Sequence, residues 1–124
     1  MEHKYYICTH CGNIITYIKS SGVSTMCCGE PMKEIIAGTI EASVEKHVPV
    51  YNVANNTVSV TIGSVEHPML EEHYIEWISL TTNKGVQLKH LQPNQKPEIT
   101  FALIDGEEVD SIYAYCNLHG LWKA

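Results

Sequence analysis

The chain has 124 residues, 44% of them apolar and 18% charged, with a formal net charge of −6 at pH 7. This fits one ordinary domain, or a small one beside a stapled subdomain, and excludes a disordered polar chain. Lysines and arginines number eight in all without forming a run, which argues against a nucleic acid partner, and no apolar stretch approaches the ~20 residues that cross a bilayer.

The chain opens on Met1-Glu2-His3-Lys4-Tyr5, which lacks the charged-then-apolar layout of a signal peptide, so a cytoplasmic protein is expected. In a reducing compartment its five cysteines read as metal ligands before disulfides. Residues 1–36 form a first unit. Tyr5 to Ile7 read as a short strand leading into Cys8-Thr9-His10-Cys11-Gly12-Asn13, a metal knuckle with two thiols two residues apart. Ile14 to Ile18 read as the return strand, Ser20-Ser21-Gly22 as a turn, and Cys27-Cys28-Gly29-Glu30-Pro31 closes the set. A stretch this short buries little surface, so a metal staple at Cys8, Cys11, Cys27 and Cys28 is physically expected. An ordinary zinc ribbon has a C-x2-C pair at both ends. Here the second pair is adjacent, and adjacent side chains point apart, so a shared tetrahedron needs a distorted second arm. A structural zinc site stays open on spacing alone. His10, between the first two cysteines, reads as a solvated loop residue.

Residues 37–124 form a second unit with almost no helix signal. Strands are expected at Ile40 to Val44, Val48 to Val53, Thr57 to Ile62, Tyr74 to Leu80, Val86 to Leu91, Glu98 to Ile104 and Val109 to Tyr115. Asn83-Lys84-Gly85 reads as a turn and Asp105-Gly106 as a hairpin. Seven short strands at this spacing predict an all-β chain whose second unit is an immunoglobulin-like antiparallel sandwich.

Four histidines of this unit fall at strand ends or in loops. His47 follows Glu45-Lys46 at a strand end. His67, stiffened by Pro68, and His73 share one loop. His119 follows Cys116 by three positions, after the last strand. All can lie at one edge of a sandwich, where sites are usually built, and imidazole with thiolate suits iron, copper or zinc. Taken singly, each histidine reads as solvated or core-satisfied, as His3 and His90 do, and Cys116 as a small buried hydrophobe. The combination points to a metal centre.

These residues resemble the desulfoferrodoxins, the two-iron superoxide reductases. The N-terminal Cys8-x-x-Cys11-Gly12-Asn13 and Cys27-Cys28-Gly29-Glu30-Pro31-Met32 are similar to the desulforedoxin-like domain. The second unit is similar at Glu45-Lys46-His47-x-Pro49, at His67-Pro68 through His73-Tyr74-Ile75-x-Trp77-Ile78, and at Cys116-Asn117-x-His119-Gly120-Leu121-Trp122. The resemblance covers nearly the whole chain and shows no departure at an expected ligand.

It implies a desulforedoxin-like, rubredoxin-type iron domain over residues 1–36 and a catalytic β-sandwich domain over residues 37–124. One iron would be held by Cys8, Cys11, Cys27 and Cys28. The second would be held in plane by His47, His67, His73 and His119, with Cys116 as its axial thiolate and the opposite position open in the ferrous state. The implied activity is one-electron reduction of superoxide to hydrogen peroxide. Lys46 would steer the anion and support protonation, and Glu45 would occupy the open position in the resting ferric state. Rubredoxin or a similar small carrier is the implied electron donor, and a homodimer the implied assembly.

Two other readings compete. A zinc knuckle on a β-sandwich would make a non-catalytic interaction module, explaining the four cysteines but not the histidines. A blue-copper-like electron carrier would use one cysteine and two histidines, with Met69 as the nearby axial candidate.

Overall fold

The structure, a computed structural model, describes residues 3–124. Its contacts divide the chain into two compact units, with the boundary between Ile36 and Ala37.

In the first unit β1 (Tyr5–Ile7) pairs antiparallel with β2 (Ile14–Thr16) and with β5 (Lys33–Glu34). The expected return strand therefore stops at Thr16, two residues early. A second hairpin joins β3 (Met26–Cys27) to β4 (Glu30–Pro31). Its two loop residues, Cys28 (φ 52°) and Gly29 (φ 77°), both have positive φ. That is the two-residue primed turn whose twist suits a hairpin, and it supplies the reversal that the adjacent cysteines demand. Among the described residues of this unit only Tyr5, Cys8 and Met32 are buried, too few to stabilise it unaided.

The second unit begins with one helical turn, α1 (Val44–His47), and continues through seven strands. These are β6 (Pro49–Ala54), β7 (Thr57–Ile62), β8 (Ile75–Thr82), β9 (Val86–His90), β10 (Glu98–Ala102), β11 (Val109–Cys116) and β12 (Gly120–Lys123). They form an antiparallel sandwich of two sheets, ordered β10-β7-β6 and β12-β11-β8-β9. Asn55 and Asn56, both at positive φ, make the tight turn between β6 and β7. Alternation places Val58, Val60 and Ile62 of β7 and Phe101 of β10 inward. They meet Ile78 and Leu80 of β8 and Ile112, Ala114 and Cys116 of β11. Each fully buried aliphatic side chain here contributes roughly 1.5–3 kcal/mol.

Four expectations are corrected. Ile40 to Val44 is not a strand; the chain bends there, and Ile40 lies over Gly120, where an added Cβ would sit 2.8 Å from its Cδ1. His47 ends a helical turn instead of a strand. Asp105-Gly106 makes no hairpin: β10 pairs with β7 whereas β11 pairs with β8 and β12, so the turn carries the chain from one sheet to the other. The Glu107 carboxylate pins this corner by accepting from Thr82 Oγ1 (2.6 Å) and the Ile104 N–H (3.1 Å). Finally, the terminal residues add the strand β12, so β11 is not the last.

Candidate metal centres

The Cys8, Cys11, Cys27 and Cys28 sulfurs all lie within 4.8 Å of one another, and none is in a disulfide. The knuckle is closed by hydrogen bonds from Cys8 N to Asn13 O and from Gly12 N to Cys8 O, both 2.9 Å. Gly12 takes φ +84°, and the Cys11 N–H points at Cys8 Sγ (3.5 Å). The N–H groups of Cys11 and His10 pull the Cys8 thiol down to about 6, while the neighbouring sulfurs of Cys8 and Cys11 push Cys28 up to about 12. Four thiols this close cannot all ionise unless a cation takes their charge, so the cluster suits a tetrahedral thiolate metal site. Cys8 is buried, whereas Cys11 and Cys28 are exposed. His10 stands outside the cluster, paired with Glu30 at 3.1 Å.

In the second unit the alternation of β11 brings Cys116 to the end of the core. The following turn presents His119, and β12 returns antiparallel with Cys116 opposite Gly120. His47 enters from the end of α1. His67 and His73 come from the β7–β8 connection, where Leu70 and His73 exchange backbone hydrogen bonds of 2.9 and 3.1 Å. Donor atoms of His47, His67, His73 and Cys116 lie within 4.8 Å of one another. His119 joins them through Nδ1, 3.1 Å from His47 Nε2 and 3.9 Å from Cys116 Sγ. The rings close a circle, each edge-on to the next, with centroid separations of 4.5 Å (His47–His67), 4.8 Å (His67–His73), 5.0 Å (His73–His119) and 4.9 Å (His119–His47). His3 and His90 lie outside this circle.

The hydrogen bonds of the rings decide what the circle can hold. His47 Nδ1–H donates to the Ser43 carbonyl (2.7 Å) and His67 Nδ1–H to the Pro68 carbonyl (2.6 Å). A carbonyl only accepts, so each Nε2 is left with a bare lone pair. Those two lone pairs face each other at 3.0 Å. His73 Nε2 is buried with no hydrogen-bond partner. Such a set of inward acceptors is satisfied by a cation, and backbone carbonyls that orient imidazoles are the usual outer support of a metal site. Burial keeps the rings neutral: His67 is driven down to about 4, and His47 and His73 are also lowered. Burial pushes the Cys116 thiol up, against the N–H groups of Leu118 and His119, so a bound cation must supply the drive to ionise it.

Lys46 and Glu45 are exposed on α1. The Lys46 charge helps lower both His47 and His73, whereas the outside charge acting on Cys116 is that of Glu76. The Glu45 carboxyl is held below its ordinary range, chiefly by its own backbone N–H. Met69, the candidate copper ligand, is a core residue whose sulfur accepts the Ile75 N–H at 3.5 Å.

Two further residues support the circle. Trp122 stacks on His47 (4.9 Å between centroids, 30° between planes) and donates from Nε1 to the His119 carbonyl at 2.9 Å. Asn117 ties the His73 loop to the terminal turn, accepting the Tyr74 N–H at Oδ1 and donating from Nδ2 to the Glu72 carbonyl, both at 3.0 Å. Both stand in the motif that ends the chain, but His47, Glu72 and Tyr74, which they meet, are distant in sequence, and no local pattern announces those contacts.

Residues 39–124 match the profile of the Desulfoferrodoxin family. A desulfoferrodoxin of Nitratidesulfovibrio vulgaris is 45% identical over 99% of this chain and 96% of its own length. One of Syntrophotalea carbinolica is 44% identical over 96% of this chain and 93% of its own. Among solved structures, a superoxide reductase from Treponema pallidum superposes with a TM-score of 0.85 at 40% identity, covering 100% of this chain and 99% of that one. A one-iron superoxide reductase from Giardia intestinalis, with a TM-score of 0.55 and 35% identity, covers 64% of this chain and 95% of its own. With a family profile over most of its length and close relatives across nearly all of it, this chain belongs to the desulfoferrodoxin family.

Proposed function

We infer that this chain is a superoxide reductase with two irons, one on Cys8, Cys11, Cys27 and Cys28 and one on His47, His67, His73, His119 and Cys116. The observation that carries this reading is the circle of four imidazoles beside a buried thiol, with bare ring nitrogens turned inward. Ferrous iron there would supply the one electron that, with two protons, turns superoxide into hydrogen peroxide, and iron on the four sulfurs would hold and pass on a replacement electron.

The side chains set the conditions for this reaction. Four neutral imidazoles add no charge and Cys116 adds one negative charge, so the donor set only half offsets a divalent cation and favours an anionic substrate. Cys116 would be the thiolate donor to that iron, and its electron release would favour giving an electron up. The first 36 residues carry three lysines and three glutamates, so the whole net charge of −6 resides in residues 37–124. Superoxide therefore meets a repelling unit, and Lys46 supplies the local attraction as well as a positive charge beside the oxygen that takes up protons. Glu45, whose carboxyl is held below its ordinary range, would be the carboxylate that takes the substrate's place in the oxidised resting protein.

Residues 1–36 are the electron-storing domain and residues 37–124 the catalytic one. Rubredoxin or a similar small carrier delivers electrons, a role for which the exposed Cys11 and Cys28 offer an accessible edge. The protein works in the cytoplasm, where its five cysteines stay free. It assembles as a homodimer; β6 ends its sheet with Val50, Tyr51 and Val53 exposed and no charged residue.

Anaerobic metal analysis with absorption spectroscopy tests the reading. Two irons per chain with visible bands are expected. Zinc without colour, or a single copper with an intense visible band, would contradict it.

A further inference from the structure

Lys46 and Glu45 lie on a helix of four residues, α1, too short to be stable by itself. Inside the turn it is held by the bonds Val48 N to Val44 O (3.0 Å) and Lys46 N to Ser43 O (3.3 Å) and by the His47 ring on Ser43 O (2.7 Å). Its outer side is gripped by the segment that follows β7. The Val65 N–H donates to the Glu45 carbonyl (2.9 Å), the Ser64 hydroxyl donates to the same oxygen (3.3 Å), and the Gly63 N–H donates to Val48 O (3.2 Å).

This grip depends on Gly63. The residue is buried at φ +83°, and a Cβ there would collide with Val65 O and lie 2.7 Å from Glu45 O and 2.8 Å from the Lys46 carbonyl carbon. All three are backbone atoms, so no flexible side chain can give way. Any larger residue must push the Glu45-Lys46 backbone away from the 63–65 turn or open that turn.

We propose that Gly63, with the Val65 N–H, is a positioning element for the reaction with superoxide: it sets where α1 holds Lys46 and Glu45 relative to the histidine circle. His47 at the end of the same turn has an anchor outside it, because its ring stacks on Trp122. The loss of Gly63 thus displaces the charged pair more than it displaces the ligand. This inference rests on the superoxide reductase reading and on Lys46 acting in it.

The test compares Gly63→Ala with Gly106→Ala in the iron-loaded full chain. Gly106 has nearly the same backbone angle (φ +81°) and nothing within 4 Å of an added Cβ, so it carries the backbone penalty without the collision. Gly63→Ala is expected to retain its iron, to lose hydrogen-exchange protection at the Val65 and Val48 amides, and to react with superoxide about fivefold or more slowly, with a flatter dependence on ionic strength. Gly106→Ala should match wild type in all of these. The deciding variant is the double substitution with Lys46→Ala, which should be no slower than Lys46→Ala alone, because both changes remove one interaction. Should Gly63→Ala fail to fold, Val65→Pro deletes the N–H aimed at Glu45 O and takes its place in the same cycle. A Gly63→Ala protein with the wild-type rate and salt dependence, or a double variant in which the two slowdowns multiply, would overturn the positioning role while leaving the reductase reading intact. A wild-type protein inert toward superoxide would overturn both.

Discussion

The Nε2 atoms of His47 and His67 face each other at 3.0 Å while each ring's Nδ1 hydrogen is committed to a backbone carbonyl. Two lone pairs at that distance repel unless a cation lies between them. The fold accepts the arrangement because α1, the β7–β8 connection and the terminal turn are each held by separate bonds, so no ring can swing away cheaply. From this arrangement, and from the thiol beside it, the chemistry of the second site can be tested residue by residue.

Cys116 is the sulfur of the His47, His67 and His73 group, so its thiolate would set the optical signature of iron held there. Replacing Cys116 with Ser should abolish the thiolate-to-iron charge-transfer absorption of the oxidised protein. Visible absorption of the iron-loaded variant reads this directly, after subtraction of the bands of the four-sulfur centre. A band that persists would show that the thiolate role has been given to the wrong residue.

On the proposed function Lys46 would act through charge, so its contribution should depend on salt. Lys46→Ala should slow the second-order reaction with superoxide by about tenfold at low ionic strength, within the range of electrostatic steering. The wild-type rate should fall as salt is added, and the variant's should fall less, because the attraction being screened is gone. Pulse radiolysis across a salt series measures both; equal slopes would exclude steering by this residue.

Trp122 contributes through a face and an edge. Trp122→Phe keeps an aromatic face against His47 but loses the hydrogen bond to the His119 carbonyl, at a cost of about 1 kcal/mol. Trp122→Ala removes the stacked face as well and should cost about 3–5 kcal/mol. Denaturant unfolding gives these differences, and retention of iron against a chelator should fall in the same order.

Glu107 gives the fold a dependence on acid. Its carboxyl is held below the ordinary range, first by the Thr82 hydroxyl and then by the Ile104 N–H. A lowered folded-state pKa means that the unfolded chain binds the proton more tightly. The stabilisation is therefore present above the unfolded pKa near 4.5 and is lost as pH falls through the lower folded value. The stability difference between wild type and Glu107→Gln should be constant near neutrality and shrink below about pH 4.5. A difference that grows on acidification would contradict this account of the corner.

The donor atoms were legible in the sequence because thiols and imidazoles declare their chemistry at any position. The strands were legible where alternation runs long, as in Thr57 to Ile62. What escaped were features decided by tertiary contacts. α1 is four residues long and shows no helical period. Its carbonyls are bound by the Gly63–Val65 segment, nearly twenty residues on. β12 is short and read as loop, because Gly120 and His119 suggest a turn and the partner strand is needed to see the pairing. Asp105-Gly106 has the composition of a hairpin, but the choice between hairpin and crossover lies with Glu107 and its partner Thr82 in another strand. Asn117 and Trp122 likewise gain their roles only when the loops meet.

The most direct test of the central claim is the product balance of superoxide consumption by the fully reduced, iron-loaded protein. Reduction takes up one electron and two protons per superoxide, so one hydrogen peroxide should form for each superoxide consumed, with no dioxygen released. Turnover should continue only while an external donor supplies electrons. Release of one dioxygen for every two superoxide ions, sustained in the absence of a donor, would mark a dismutase and contradict the account.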